Sequence, residues 1–140
     1  MAKRVRLTVD GVEAVARLHE ETAPETIARF WAALPIETTL RHVRWSGEAG
    51  YILIRKIADR ARPIENVISI YPPASIAFRP EHGEMAFSYG QAQARDPVRP
   101  ATWACHLGTV ETNVSAFLAK VKATRTEGGK PMRLAREDDR

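Results

Sequence analysis

Five short apolar or alternating segments follow one another between residues 40 and 89. They cover residues 40–45, 51–57, 67–71, 75–78 and 85–89, and glycine, proline, asparagine or serine bounds each of them. Segments of this length with turn residues between them are typical of β-strands. Because many short strands in one chain favour a closed or nearly closed β architecture, we predict a mainly β protein.

The start of the chain predicts a β-hairpin. Residues 4–9 alternate between polar and apolar side chains, and the alternation resumes at Val12 after Asp10 and Gly11. An Asp-Gly pair suits a two-residue turn that needs positive φ and matches the twist of paired strands.

A first helix is predicted after the hairpin. Apolar residues at positions 27, 30, 31 and 34 have helical spacing. Thr22 and Glu25 offer a capping box, Pro24 is tolerated in the first turn, and Pro35 ends the run.

A second helix and a closing strand are predicted near the end of the chain. Apolar residues at positions 114, 117, 118 and 121 share one helical face, and Thr112 or Asn113 can cap it. Gly128 and Gly129 break the helix, and residues 132–134 predict a last short strand before a polar end.

Size and composition agree with one compact domain. The chain has 140 residues, of which 44% are hydrophobic and 27% are charged, so disordered and collagen-like classes are excluded. We expect a single domain over residues 1–136 and a frayed end over residues 137–140.

The excess positive charge does not point to nucleic acid. Residues 1–119 carry 14 Lys and Arg against 13 Asp and Glu, whereas residues 120–140 carry 7 against 4. A local basic group remains at Arg55, Lys56, Arg60 and Arg62, but no nucleic-acid-binding module is visible. We therefore expect no nucleic-acid partner.

The single cysteine and the first residues of the chain indicate the cellular compartment. Cys105 is the single cysteine, so no internal disulfide can form. The first residues lead into a strand pattern with no long apolar stretch, which predicts neither a signal peptide nor a membrane span. We expect a cytoplasmic protein without a membrane partner.

Several motifs resemble a known family. The segment at residues 23–30, APETIARF, resembles the Ala-Pro-x-Thr-x-x-x-Phe opening of the first helix in cyclophilins. The set HVRWSGE at 42–48, EN at 65–66, YP at 71–72 and YG at 89–90 is similar to short bacterial and archaeal cyclophilin-like proteins known as a domain of unknown function. The resemblance covers roughly residues 3–134. It implies a small closed cyclophilin-like β-barrel with two helices, and no assigned activity.

The chain departs from true cyclophilins at their catalytic motif. Their prolyl-isomerase pocket is marked by a Phe-His-Arg run followed by Phe and Gln-Gly-Gly. The nearest stretch here, LRHVRW at residues 40–45, lacks that phenylalanine and has no Gln-Gly-Gly after it. We therefore expect no prolyl-isomerase activity.

The best candidate site is the loop after residue 44. Trp45, Ser46 and Glu48, with His42 just before them, could supply an apolar wall, a hydroxyl, a carboxylate and an imidazole. The same residues would also suit a solvated turn with the tryptophan in the core. Ser46 lacks the flanking glycines of a nucleophile elbow.

Four further residues are candidates for the same pocket. Glu65 and Asn66 precede a strand, and Tyr71 and Tyr89 end strands where a phenol could reach a pocket mouth. Each also has a structural interpretation, since asparagine stabilises turns and most tyrosines pack.

No metal or cofactor is expected. The four histidines are spread along the chain, and neither His-Glu-x-x-His nor paired Cys-x-x-Cys spacing occurs. Cys105 lies among apolar neighbours, which is typical of a buried, inert thiol.

Three function classes remain open. The leading hypothesis is a barrel that binds a small molecule or peptide in a pocket lined by the eight candidates: His42, Trp45, Ser46, Glu48, Glu65, Asn66, Tyr71 and Tyr89. The second is a hydrolase or isomerase acting on a small amide or carboxylate, with His42 or Glu48 as general base. The third is a protein-interaction module that uses surface patches and strand edges. The sequence leaves homo-oligomerisation open.

Overall fold

The computed structural model describes residues 2–99 and 102–138. Strands β1 (Arg4–Val9) and β2 (Val12–Leu18) form the predicted antiparallel hairpin, with Val9 opposite Val12. Asp10 and Gly11 both have positive φ, at 49° and 76°, as the two-residue turn requires. The hairpin prediction is confirmed.

Helix α1 (Pro24–Ala33) is confirmed, but its predicted cap is wrong. The helix buries Ile27, Phe30 and Ala33, and it ends before Pro35 because proline cannot continue it. Ala23 occupies the cap position and no side chain of the preceding turn caps the helix. The Thr22 hydroxyl donates instead to the carbonyl of His19, at 3.4 Å.

The middle of the chain contains six strands whose bounds differ from the prediction. They are β3 (Ile36–His42), β4 (Gly47–Leu53), β5 (Val67–Ile68), β6 (Ile70–Tyr71), β7 (Ser75–Arg79) and β8 (Glu84–Gln93). The strand predicted over 40–45 begins at Ile36 and ends at His42. The one predicted over 51–57 stops at Leu53, since Arg55–Ile57 form a 3₁₀ turn. The one predicted over 67–71 is divided between β5 and β6.

The last elements are β9 (Ala104–Thr112), α2 (Val114–Glu127) and β10 (Lys130–Arg136). Strand β9 was not predicted, although β7, β2 and β5 all pair with it. Helix α2 begins after Asn113, whose side-chain amide donates to the carbonyl of Glu13 at 3.0 Å and does not cap the helix. Of the predicted frayed end, residues 139 and 140 lie outside the described residues.

The strands close into a barrel. Eight of them follow the order β2-β1-β10-β3-β4-β8-β7-β9, and the pairing of β2 with β9 completes the circle. All neighbouring pairs are antiparallel. The described residues are therefore mainly β and form a closed eight-stranded antiparallel barrel with two helices. The predicted mainly β closed barrel with two helices is confirmed. No described helix has the length and apolar character needed to cross a membrane.

Alternation along β7 and β8 gives the barrel wall two different faces. Ile76, Phe78, Met85 and Phe87 point into the main core. The intervening positions point outward, where Ala77 and Ala86 belong to a smaller apolar cluster outside the barrel. This outer face carries the cavity described next.

Candidate functional site

A cavity of about 610 Å³ lies on the outer face of β4, β7 and β8. Tyr51 and Leu53 of β4 and the cross-strand pair Arg79–Glu84 line it. Its other walls come from loops and turns, at Val43, Arg44, Trp45, Ser46, Arg55, Ala58, Arg60, Glu81, His82, Arg95, Asp96 and Pro97. We call it the outer-face cavity.

Arg79 is held rigidly in the wall of this cavity. The residue is only 3% exposed. Its guanidinium donates to the Arg95 carbonyl at 3.1 Å, to Glu81 at 2.9 Å and to Asp96 at 3.3 Å. A buried cation is stable only with such partners, so these bonds also fix the loop that bears Asp96.

That loop is closed by Asp96 itself. One carboxylate oxygen accepts the amides of Val98 and Arg99, at 2.9 Å and 2.6 Å. Hydrogen bonds from the amide and the guanidinium of Arg99 hold the pKa of Asp96 well below its usual range. Asp96 therefore remains charged and keeps the loop in place.

Glu84 is the cavity residue with an unusual proton affinity. Its nearest carboxylate oxygen lies 3.8 Å from Nη1 of Arg79, which is an ion pair without a short hydrogen bond. Burial raises the pKa of Glu84 despite the attraction of Arg79. A carboxyl group in a cavity with a raised pKa is a candidate for a functional role.

The rim carries surplus positive charge. Five arginines line the cavity against three carboxylates, at Glu81, Glu84 and Asp96. Within residues 2–99 and 102–138, the side chains of Arg44, Arg55 and Arg60 have no ion-pair or hydrogen-bond partner. These guanidinium groups are free to contact a ligand.

Two predicted site residues lie in this cavity. Trp45 is 51% exposed at its edge, so it is not the core residue of the alternative interpretation. Ser46 is buried, and its carbonyl accepts the amide of Gln93 at 2.8 Å. Gly47 follows with φ of 96°, where a side chain would collide with the Gln91 carbonyl. The loop therefore needs glycine at this position.

Three other predicted residues form a separate group. Nε2 of His42 lies 2.8 Å from the Tyr89 hydroxyl, and Nδ1 lies 2.8 Å from the Val43 carbonyl. Since a carbonyl only accepts, Nδ1 carries the proton and Nε2 accepts from the tyrosine. Glu48 accepts the Gln91 amide at 2.7 Å, and burial together with the Glu48 charge raises the pKa of Tyr89. None of the three lines the outer-face cavity.

Glu65 has a structural role at the start of α1. It accepts the Thr26 amide and the Thr26 hydroxyl, both at 2.7 Å, and the Glu25 amide at 3.4 Å. Burial acts to raise the pKa of Glu65, but these hydrogen bonds outweigh it and lower the pKa. A distant carboxylate thus caps the helix in place of the predicted capping box.

Asn66 and Tyr71 also lie away from the outer-face cavity. The Asn66 amide donates to the His106 carbonyl at 2.8 Å, next to a third cavity that is lined by His19 and His106. Tyr71 is buried in the outer apolar cluster, where burial raises its pKa. The eight predicted residues therefore do not line one pocket.

Cys105 is the buried thiol that the sequence predicts. Cys105 is buried, and burial raises the pKa of its thiol to about 12. Across residues 2–99 and 102–138, no three His, Cys, Asp or Glu side chains are grouped so that they could hold a metal ion.

Sequence reasoning missed Arg79 and Glu84. A signal for them exists, because two opposite charges flank a short turn between apolar strands. Such a pair is expected to face across a hairpin, as it does here. The sequence shows the basic group that contains Arg55 and Arg60, but only the fold brings these two residues to the same cavity as Arg44.

Comparisons with known proteins agree with the fold. The family described as "Protein of unknown function (DUF3830)" matches residues 5–136. McbB in complex with tryptophan has a TM-score of 0.75 and 20% identity, over 97% of this chain and 45% of McbB. The solution structure of a hypothetical protein from Archaeoglobus fulgidus has a TM-score of 0.70 and 20% identity, over 96% of this chain and 95% of that one.

These two likenesses show a shared fold. This chain spans less than half the length of McbB. Among curated proteins, none matches the sequence.

Proposed function

The chain belongs to the DUF3830 family of proteins of unknown function, and we propose that it binds a small organic anion in the outer-face cavity. One observation carries the proposal. Three guanidinium groups without partners among the described residues, those of Arg44, Arg55 and Arg60, surround a cavity whose wall contains the fixed Arg79. Guanidinium groups bind carboxylates and phosphates through charge-assisted, often bidentate hydrogen bonds.

The size and the other surfaces of the cavity favour an organic ligand. A volume of about 610 Å³ suits a small molecule. Trp45 and Tyr51 add aromatic surface against which a flat or apolar body can pack. The expected ligand is therefore a carboxylate with an apolar part.

The structural neighbour supports two features of this ligand. McbB is in complex with tryptophan, which carries a carboxylate and a planar apolar ring together with an ammonium group. Of the eight residues that the sequence predicts for a pocket, this proposal keeps Trp45 and Ser46. It adds the arginines of the outer-face cavity and Glu84.

The test is a calorimetric titration with indole-3-acetate. Arg55→Gln should weaken binding about three- to tenfold, because it removes one partly solvated guanidinium contact. Lys56→Gln is the matched control: it removes the neighbouring exposed cation, which does not line the cavity. We expect the control to bind like the parent.

The neutral analogue indole-3-ethanol should bind more weakly than indole-3-acetate. Equal losses in Arg55→Gln and Lys56→Gln would mean that general surface charge, not this cavity, attracts the anion. Absence of indole-3-acetate binding to the parent would contradict binding of this ligand class.

An enzyme is the second candidate, and Glu84 is the observation that favours it. Glu84 lines the cavity and burial raises its pKa, as a general acid or base requires. His42 and Glu48 are bonded to Val43, Tyr89 and Gln91 and do not line this cavity. N-acetyltryptophan tests amide hydrolysis, in which water is consumed and acetate is released. Acetate formation that is lost in Glu84→Gln would favour the enzyme, and no acetate would favour binding without turnover.

We also propose that the cyclophilin-like resemblance does not extend to prolyl isomerisation. Uncatalysed exchange of an Ala-Pro peptide takes tens to hundreds of seconds, so catalysis would be easy to measure. We expect an unchanged exchange rate. A faster rate that disappears in Arg41→Ala or Arg44→Ala would overturn this expectation.

A further inference from the structure

A second cavity, of about 670 Å³, adjoins the outer-face cavity. Ser46 and Arg95 line both of them, so the two spaces meet at these residues. The second cavity is also lined by Glu48, Ile70, Tyr71, Pro72 and Pro73. We call it the proline-rimmed cavity.

The proline-rimmed cavity is the more apolar of the two. Ile70 is 68% exposed at its edge, and Pro72 and Pro73 are exposed beside it. Tyr71 is buried below, and its carbonyl accepts the Ser88 hydroxyl at 3.0 Å. An exposed isoleucine beside two exposed prolines gives an apolar ligand group a surface that is already in place.

The charges that line the two cavities indicate which end of a ligand lies in which cavity. Five arginines line the outer-face cavity against three carboxylates, and three of these arginines have no partner among the described residues. The proline-rimmed cavity is lined by one arginine, Arg95, and one carboxylate, that of Glu48. The excess of positive charge is therefore confined to the outer-face cavity, which is the more favourable place for an anionic group. An anion that occupies both spaces therefore places its charge near the arginines and an uncharged part near Ile70.

The junction can also contribute a hydrogen bond. Ser46 is 7% exposed, and its hydroxyl has no hydrogen-bond partner among the described residues. Since Ser46 lines both cavities, a ligand that crosses from one to the other passes this hydroxyl.

We propose that the ligand is an amphipathic organic acid whose charged group occupies the outer-face cavity and whose apolar arm occupies the proline-rimmed cavity. This inference rests on the proposed function, because it needs the anion to bind among the arginines. It adds the length and polarity of the ligand, which the outer-face cavity alone does not define.

The experiment compares the affinities of butanoate, hexanoate and octanoate by titration monitored with amide chemical shifts. Each methylene that leaves water should raise the affinity, at most about fourfold. We expect octanoate to bind at least about tenfold more tightly than butanoate. Arg55→Gln should weaken all three acids by a similar factor and leave the gain with chain length unchanged.

Ile70→Ser is the decisive variant, and Val67→Ser is its matched control. Ile70 lines the proline-rimmed cavity, whereas Val67 is a nearby exposed residue that does not. Ile70→Ser should weaken octanoate about three- to tenfold and leave butanoate unchanged. Val67→Ser should change neither.

The outcomes separate the two proposals. If neither the three acids nor indole-3-acetate bind, the proposed function fails and this inference fails with it. If indole-3-acetate binds and the three acids do not, the anion site stands and this inference alone fails. If all three acids bind with the same affinity, the anion site stands and the ligand has no apolar arm in the second cavity. If Ile70→Ser keeps the full rise in affinity from butanoate to octanoate, the anion site stands and the apolar arm does not lie against Ile70.

Discussion

The two faces of the β7–β8 hairpin differ although the same two strands build them. Phe78 and Met85 point inward and are buried among apolar side chains, whereas their neighbours Arg79 and Glu84 point outward and line a cavity. Because side chains alternate along a strand, one segment of sequence builds both core and site. The stability of the barrel therefore depends mainly on the inner-face side chains and its binding chemistry on the outer-face ones, and Arg79 contributes to both.

The inner face should show the largest loss of stability. Phe78→Ala removes a fully buried ring and leaves a cavity in the core, so we expect a loss of about 3–5 kcal/mol in the free energy of unfolding. Denaturant melts measure it. A loss below 1 kcal/mol would show that the inner face is not the main source of stability.

Arg79 tests whether the outer face also supports the fold. Arg79→Met keeps the aliphatic stem but leaves the Glu81 and Asp96 carboxylates without their buried partner, and we expect a loss of about 2–3 kcal/mol. Arg99→Met, which removes the more exposed cation of the same network, serves as control and should cost less. A smaller effect for Arg79 than for Arg99 would contradict the anchoring role of Arg79.

Glu65 is a carboxylate that stabilises the fold. Its folded-state pKa is lowered, so its contribution is present above the unfolded pKa near 4.5 and is lost as pH falls through the folded value. Glu65→Gln should cost about 1 kcal/mol at pH 7 by weakening the start of α1. The difference in unfolding free energy between Glu65→Gln and the parent should shrink in melts below pH 4. A difference that stays constant with pH would show that the charge of Glu65 does not stabilise the helix.

Ionisation of Glu84 should change the stability of the fold with pH in the opposite direction. Its folded-state pKa is raised, so stability falls as pH rises from 4.5 through the folded value, where the carboxyl must ionise in a buried place. We expect Glu84→Gln to be neutral or stabilising, by up to about 0.5 kcal/mol at pH 7, when measured beside Glu65→Gln. A loss as large as that of Glu65→Gln would make Glu84 a structural residue.

The parts of the fold that local patterns encode could be predicted. The Asp10–Gly11 turn and the helical spacing within α1 and α2 depend on neighbours in sequence, and the structure contains all three. Strand β9 was missed because its alanine, cysteine, histidine and glycine residues give no clear alternation. Its place is decided by pairing with three strands that are distant in sequence, which no local pattern contains.

Local patterns also predict only part of the candidate site. Trp45 and Ser46 lie in a glycine-containing loop that sequence identifies directly. The caps of the two helices were wrong, because Glu65 reaches α1 from 39 residues away and Asn113 bonds to Glu13. Arg79 and Arg44 line one cavity only because β8 pairs with both β7 and β4, so this cavity depends on long-range pairing of the barrel strands.

The most direct measurement is a map of backbone amide shifts on titration with indole-3-acetate. We predict that the largest changes occur at Trp45, Ser46, Arg55 and Glu84, with little change at His19 and His106 beside the histidine-lined cavity. Changes confined to the second group, or spread evenly over the surface, would contradict the account that the outer face of the barrel is the binding face.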